Sequence, residues 1–353
     1  MNYRVKKSIA FVHDGKHLEI FNTNTREAFR IAIDAGALEV IMNFDGESSI
    51  DEVVSIYPGV DRQDLLELMD YLNKKKVVIR QNCTYLPELI KSKPRTLAFL
   101  EDYCKATSEV VDKLELIKNK QVMIIGLGAV GSWVAESLVR SGVERLVLID
   151  DDIVDASNLH RQGLFFEADV GSYKVDCAKR YLSEVADIEC VAIKEKLTPY
   201  LLEKLGYTPD LIINCADYPS VDVTTKLVGM YCMPKSIPHI VGGGYNLHLT
   251  LIGQTIIPGK SACANCFEKT LSIINSSDLD GVRKLNRPNR KIGSFGPLTK
   301  LTASVTSLEA IKVLIEDYDS LCNMNKRVEF LLETMDFSVK TIDKRDDCEW
   351  CSD

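Results

Sequence analysis

Three glycines, Gly126, Gly128 and Gly131, follow directly on the apolar run Val122-Met123-Ile124-Ile125. Glycines at this spacing, between a strand and a helix, are suited to bringing backbone N–H groups up to a phosphate. The first permits the tight turn, the second the close approach, and the third lets the helix pack near the sheet. Further on, Leu146-Val147-Leu148-Ile149 ends on Asp150-Asp151-Asp152. An acidic strand end of this kind accepts hydrogen bonds from ribose hydroxyls, which fits Asp150 and extends to Asp152. A second chemistry is carried by cysteine. Cys263-Ala264-Asn265-Cys266 and Cys348-Glu349-Trp350-Cys351 are two pairs with two-residue gaps. Four thiolates at that spacing suit tetrahedral Zn²⁺, and a closed four-cysteine shell is structural because it leaves no position for substrate. Neither pair is expected at the start of a helix, where a redox pair would sit.

These groups need a scaffold. The glycine turn predicts a βαβ unit: strand 122–125, a helix with Val134, Leu138 and Val139 on its buried face, and strand 146–149. Beyond it the pattern predicts a helix over 173–185, a strand over 189–193, and a strand over 210–214 with Asp217 just past its carboxyl end. A helix over 221–232, a strand over 239–241, a long helix over 298–316 and late strands over 328–332 and 339–342 follow. Open α/β sheets bind ligands beyond the carboxyl ends of their strands, so Asp150, Asp152 and Asp217 should converge. Residues 1–85 read as a separate small domain. Strands 8–12 and 17–21 flank an Asp14-Gly15 turn, and a helix is expected over 25–35. A capped helix runs from Ser49, another from Asp61 with Leu65, Leu68, Met69 and Leu72 on one face, and a strand closes at 77–79. A hairpin followed by three helices is a winged-helix-like α+β layout. Residues 86–120 read as a linker, flexible over 91–95, and a lead-in helix; residues 121–353 form the nucleotide domain.

Bulk properties narrow the class. The chain has 353 residues, 27% of them charged, and a net charge of -8. That balance argues against nucleic acid as a partner, and no apolar run reaches the roughly 20 residues that cross a bilayer. Eleven cysteines, mostly single and in apolar surroundings, fit a reducing, cytoplasmic compartment with one metal site.

The phrases GLGAVGS, LIDDDIVDASNLHRQ, VGSYK and Asn214-Cys215-Ala216-Asp217 resemble the adenylation core of the E1-like (ThiF/MoeB-type) activating enzymes. The resemblance covers about Arg95 to the C-terminus and is strongest to the peptide-modifying branch, with its microcin-type and pantocin-type enzymes. The stretch FDGESSIDEVVSIYPGVDRQDLLELMDYLNKKKVVI is similar to PqqD-like domains that grip leader peptides. The implied mode is addition of the peptide as a strand at an exposed sheet edge. The resemblance implies a Rossmann-like domain that binds ATP and Mg²⁺, holds structural zinc at Cys263, Cys266, Cys348 and Cys351, and works as a homodimer. It implies that Asn158, Arg161 and Lys174 hold the triphosphate and that Asp217 binds Mg²⁺. Arg95 would reach across the dimer to the partner's ATP. The charged stretch 276–293 would be a crossover loop near the peptide. No cysteine stands convincingly where an acyl-capturing thiol would be, and His160 has no assigned role.

The implied reaction is ATP-dependent activation of a carboxyl group on a ribosomally made precursor peptide, a step in antibiotic-type biosynthesis. Activation of internal glutamates with loss of water and cyclisation is the first expectation. Adenylation of the peptide C-terminus, or of a sulfur-carrier protein, is the alternative. A dehydrogenase would explain the glycines and Asp150 but not Arg161, Lys174 or the cysteine pairs; a scaffold without chemistry would not need Arg161, Lys174 and Asp217. Singly, Lys174 reads as a helix-face lysine and Asp217 as a helix cap; together, at family spacing, they read as a site.

Overall fold

The computed structural model describes residues 1–33, 35–246, 249–278 and 293–351, in two compact units, 1–115 and 116–353. The expected crossover loop therefore lies, beyond Asp278, largely outside the described residues.

The first unit contains β1 (Asn2–Val5), β2 (Ile9–His13), β3 (His17–Asn22), β4 (Ala28–Ala32), α1 (Ala35–Met42), β5 (Asp45–Ser49), α2 (Ile50–Ile56), α3 (Arg62–Lys74) and β6 (Val78–Arg80). Strand β1 lies between β5 and β6 in one antiparallel sheet, and β2, β3 and β4 form another. The hairpin turn forms where expected: the Asp14 carboxylate accepts from the N–H groups of Lys16 (3.0 Å) and His17 (2.8 Å). The helix expected over 25–35 does not form. Phe29, Ile31 and Ile33 alternate, and pairing of β4 with β3 puts Phe29 and Ile31 on the core side, so the period of two prevails over helical propensity. Both expected caps are present. Ser49 and Glu52 form a reciprocal capping box, and Asp61 accepts from the N–H groups of Gln63 and Asp64.

The stretch expected to be flexible is helical instead: α4 (Pro87–Ser92) and α5 (Pro94–Glu101), followed by α6 (Thr107–Asn119). Prolines stand in the first turns of α4 and α5, where a missing N–H breaks no helical bond. The buried Glu101 carboxylate anchors α5, accepting from Arg4 Nη2 (2.6 Å) and the Tyr85 hydroxyl (3.0 Å).

The second unit runs β7 (Gln121–Ile125), α7 (Gly131–Ser141), β8 (Arg145–Ile149), α8 (Lys174–Val185), β9 (Glu189–Ile193), α9 (Leu201–Leu205), β10 (Leu211–Asn214), α10 (Val221–Cys232), β11 (His239–Val241), β12 (Gly244–Asn246), β13 (Leu249–Ile252), β14 (Thr255–Ile256), α11 (Ala264–Asp278), α12 (Gly296–Leu314), β15 (Lys326–Leu331) and β16 (Asp336–Thr341). Its main sheet has the order β14-β11-β10-β7-β8-β9, parallel except at β14. Strand β7 is central, with β8 on one side and β10 on the other, so the chain reverses direction across the sheet at its end. Helices cover both faces. Val122 and Ile124 pack with α7, α8 and α12, while Met123 and Ile125 pack with α9 and α10. A second antiparallel sheet has the order β12-β13-β15-β16. No described helix is long and apolar enough to cross a membrane.

Candidate active site

The glycine turn fills the crevice where the sheet reverses. Gly126 has φ of 88°, and a Cβ there would lie 2.7 Å from the Ala216 nitrogen in the loop after β10. Only glycine meets both demands. A Cβ on Gly131 would lie 1.9 Å from the Gly126 carbonyl oxygen, so α7 starts too close to the turn for any side chain. A Cβ on Gly128 would meet nothing within 4 Å. The middle glycine thus borders open space at the sheet rim.

Asp150 closes that crevice from the end of β8. Its Oδ2 accepts from Leu127 N–H in the glycine turn (2.5 Å) and its Oδ1 from Asp152 N–H (2.8 Å). Burial pushes its pKa up, against the pull of Lys174 and of those two N–H groups. Both oxygens keep lone pairs for further donors such as ribose hydroxyls. The following loop folds back on the start of α8. Val154 N–H donates to Ser172 O (2.8 Å), Gly171 N–H to Val154 O (2.9 Å), and Lys174 N–H to Asp152 O (3.0 Å). That pairing brings the Lys174 ammonium to 2.7 Å from the Asp152 carboxylate. The lysine side chain is 6% exposed and its partner's is 67% exposed, so a buried cation reaches toward the surface through an exposed carboxylate. An ammonium has three donors.

Asn158 and Arg161 sit within this same connection between β8 and α8. Asn158 is buried, and its Oδ1 accepts from Asp155 N–H (3.1 Å) in a short 3₁₀ turn, 156–158. Arg161 Nη1 donates to Ser157 O (2.5 Å) and lies 2.8 Å from His160 Nε2, while its Nε is buried with no protein acceptor among the described residues. An unpaired buried guanidinium N–H is costly unless an acceptor beyond the described residues meets it. Asp217 is exposed, beside the Cys215-Ala216 segment that touches Gly126. The structure therefore gathers Asp150, Asp152 and Lys174 in one cluster and sets Asp217 on the loop that meets the glycine turn. Arg95 is exposed near the start of α5 in the first unit rather than in a linker.

Among the described residues two groups have metal-ligand geometry: Asp150-Asp151-Asp152, and the four cysteines. Asp217 belongs to neither, which a magnesium ligand need not, since Mg²⁺ is held by one or two carboxylates plus substrate phosphates. The four sulfurs are all buried, with Cys263 and Cys348 3.4 Å apart, Cys266 and Cys351 3.4 Å apart, and Cys263 and Cys266 3.9 Å apart. These separations exceed a disulfide bond and approach the edge of about 3.8 Å for a tetrahedron with zinc–sulfur bonds of about 2.3 Å. Burial pushes the Cys263 and Cys351 thiols up, while at Cys348 burial is outweighed by the Trp350 N–H and the neighbouring thiols, which draw the thiol down to about 6. The donor set fits zinc. One expectation fails here: Cys263 and Cys266 do stand at the start of α11. The apolar turn around Phe267 starts a helix that packs against the tail, and the second pair arriving at the same point distinguishes this arrangement from a two-cysteine redox motif.

Residues 105–351 match the model of the ThiF family. Among curated proteins, the tRNA threonylcarbamoyladenosine dehydratase 2 of Saccharomyces cerevisiae is 40% identical over 121 residues. That match covers 33% of this chain and 27% of the relative, so the chain spans about a quarter of that protein's length. Among solved structures, E. coli MccB with ATP superposes with a TM-score of 0.78 at 22% identity, covering 99% of this chain and 100% of that one. PaaA superposes with a TM-score of 0.73 at 20% identity, covering 96% of this chain and 100% of that one. At such identities the two superpositions establish a shared fold.

Proposed function

The chain belongs to the ThiF family, and we propose on that premise that it is an ATP-dependent E1-like enzyme activating a carboxyl group of a ribosomally made peptide. A carboxylate is a poor acylating agent because its leaving group is an oxide. Attack of its oxygen on the α-phosphorus of ATP breaks the bond to the β-phosphate, releases pyrophosphate and leaves a mixed anhydride with AMP as a good leaving group. Positioning and charge neutralisation supply most of what this step needs. The turn at Gly126, Gly128 and Gly131 offers backbone N–H groups and open space to the phosphates, and Asp150 accepts from the ribose. Asp152 releases the Lys174 ammonium to the polyphosphate as it arrives, beside Asn158 and Arg161. Asp217 would hold Mg²⁺, which offsets charge on the leaving pyrophosphate. The observation that carries the reading is the buried Arg161 Nε without an acceptor among the described residues, in a loop bonded at Arg161 O and Gly163 N–H to the start of α7, directly after a glycine turn open at Gly128.

The peptide substrate is supported by likeness of nearly the whole chain, first unit included, to MccB and PaaA. MccB has been solved with N-formylated MccA. In this chain residues 1–85 would bind the leader of the precursor as an added strand, and a homodimer would let Arg95 reach the partner's ATP. The acyl group would pass straight to a nitrogen or other nucleophile of the peptide. Cys215, at the same rim, suits acyl capture poorly: burial and the nearby Asp217 push its thiol up to about 12.

We favour activation of internal glutamates followed by loss of water and cyclisation, with adenylation of the peptide C-terminus as the second reading. Intact-mass measurement of a candidate precursor encoded beside the gene, after incubation with the protein and MgATP, separates them. Successive losses of water support the first and gain of an AMP group the second. An unchanged mass with no ATP turnover contradicts both.

A further inference from the structure

We propose that Trp133 is a positioning residue of the nucleotide site, clamping the loop that carries Arg161; this rests on the phosphate role given to Arg161 above. Residues 159–163 have no strand or long helix of their own, yet they must present a guanidinium at a fixed place. The structure holds them through α7. Ser132 and Trp133 are the second and third residues of that helix, directly after the glycine turn. The Trp133 indole N–H donates to the Arg161 carbonyl (3.0 Å), and the Ser132 hydroxyl accepts from Gly163 N–H (3.3 Å). The indole lies flush on Gly163: a Cβ there would be 2.2 Å from Trp133 Cζ3. Glycine at 163 and tryptophan at 133 are therefore a matched pair, since any side chain at 163 displaces the ring and its hydrogen bond.

Helix α12 also reaches the ring. Lys300 Nζ lies 3.9 Å from the centroid of the Trp133 ring, a cation over the indole. At the start of α12, a Cβ on Gly296 would lie 3.0 Å from the His160 carbonyl oxygen, so the helix meets the loop backbone to backbone. Two helices thus fix the loop at His160, Arg161 and Gly163. A donor aimed at developing charge is effective only if its position is set beforehand. Trp133 bonds the carbonyl of the residue whose Nε is left without an acceptor among the described residues.

Trp133→Phe keeps most of the ring and removes only the N–H, and Gly163→Ala moves the ring while keeping it. Calorimetry of each variant with MgATP and with AMP, alongside its melting temperature, separates positioning from loss of fold. The expected result for both is an MgATP dissociation constant raised about 5- to 10-fold, the scale of one hydrogen bond, with AMP affinity changed less than about twofold and melting retained. Arg161→Ala should show the same selective loss, and Trp133→Phe should then add nothing to it. Equal weakening of MgATP and AMP, an unchanged MgATP affinity, or a full further loss in the Arg161→Ala background would overturn the proposal. If Arg161→Ala itself leaves MgATP affinity unchanged, the phosphate role falls and the clamp with it.

Discussion

Gly126 and Gly128 stand two residues apart and answer to different demands. The first is fixed by its own chain, through a φ of 88° and the Ala216 nitrogen, whereas the second borders space that the chain leaves open. Gly126→Ala should therefore destabilise the fold, by about 1–3 kcal/mol for strain and overpacking. Gly128→Ala should leave the melting temperature within about 2 °C while weakening MgATP binding at least several-fold. Thermal denaturation with and without MgATP checks both, and an unweakened MgATP response in Gly128→Ala would remove that glycine from the site. The spacing of the glycines and the acid at Asp150 were legible in the sequence because each follows from local backbone geometry. The pairing of Lys174 with Asp152 and of Trp133 with Gly163 was not. Those contacts depend on how a loop of irregular structure folds back, and no periodicity records that.

Elements were legible where burial repeats over several turns or a whole strand. Val134, Leu138 and Val139 mark α7, and the unbroken apolar runs of β7, β8 and β10 mark strands covered on both faces. β4 was misread because Ala28 to Ala32 suits a helix until β3 supplies a partner, and β1 was missed because its alternation spans only Asn2 to Val5. Strand β11 carries a prediction of its own. His239 is 1% exposed, its Nδ1 lies 3.2 Å from Ile237 O, and its Nε2 has no partner among the described residues. Burial lowers its pKa to about 4. The unfolded chain takes up this proton near pH 6.5 and the folded one only near 4, so stability is present above pH 6.5 and falls as pH drops between those values. The loss amounts to about 3 kcal/mol at most. Denaturant unfolding of wild type and His239→Gln at pH 7 and 4.5 should show a flatter pH dependence in the variant; equal slopes would mean that this imidazole does not stay neutral.

At the scale of the molecule, the second unit joins residues far apart in sequence at two places, the rim of the main sheet and the four-sulfur cluster. The cluster ties α11 to the tail, where Ile342 and Trp350 add the little apolar contact there is. Zinc bound there should contribute to folding outright, so chelation should lower the melting temperature by several degrees and Cys348→Ser should do the same without metal. An unaltered melting temperature after verified zinc removal would refute a structural metal. The sequence made this cluster legible through cysteine spacing, but the helix that begins between Cys263 and Cys266 became visible only with the tail packed beside it. The rim is where the proposed chemistry stands or falls. A crystal structure with MgATP should place the triphosphate over Gly128, with phosphate oxygens within about 3.2 Å of donors on Arg161 and Lys174 and Asp217 turned to the cation. A nucleotide seated elsewhere, or one seated there with Arg161, Lys174 and Asp217 all directed away from its phosphates, would contradict carboxyl activation at this rim.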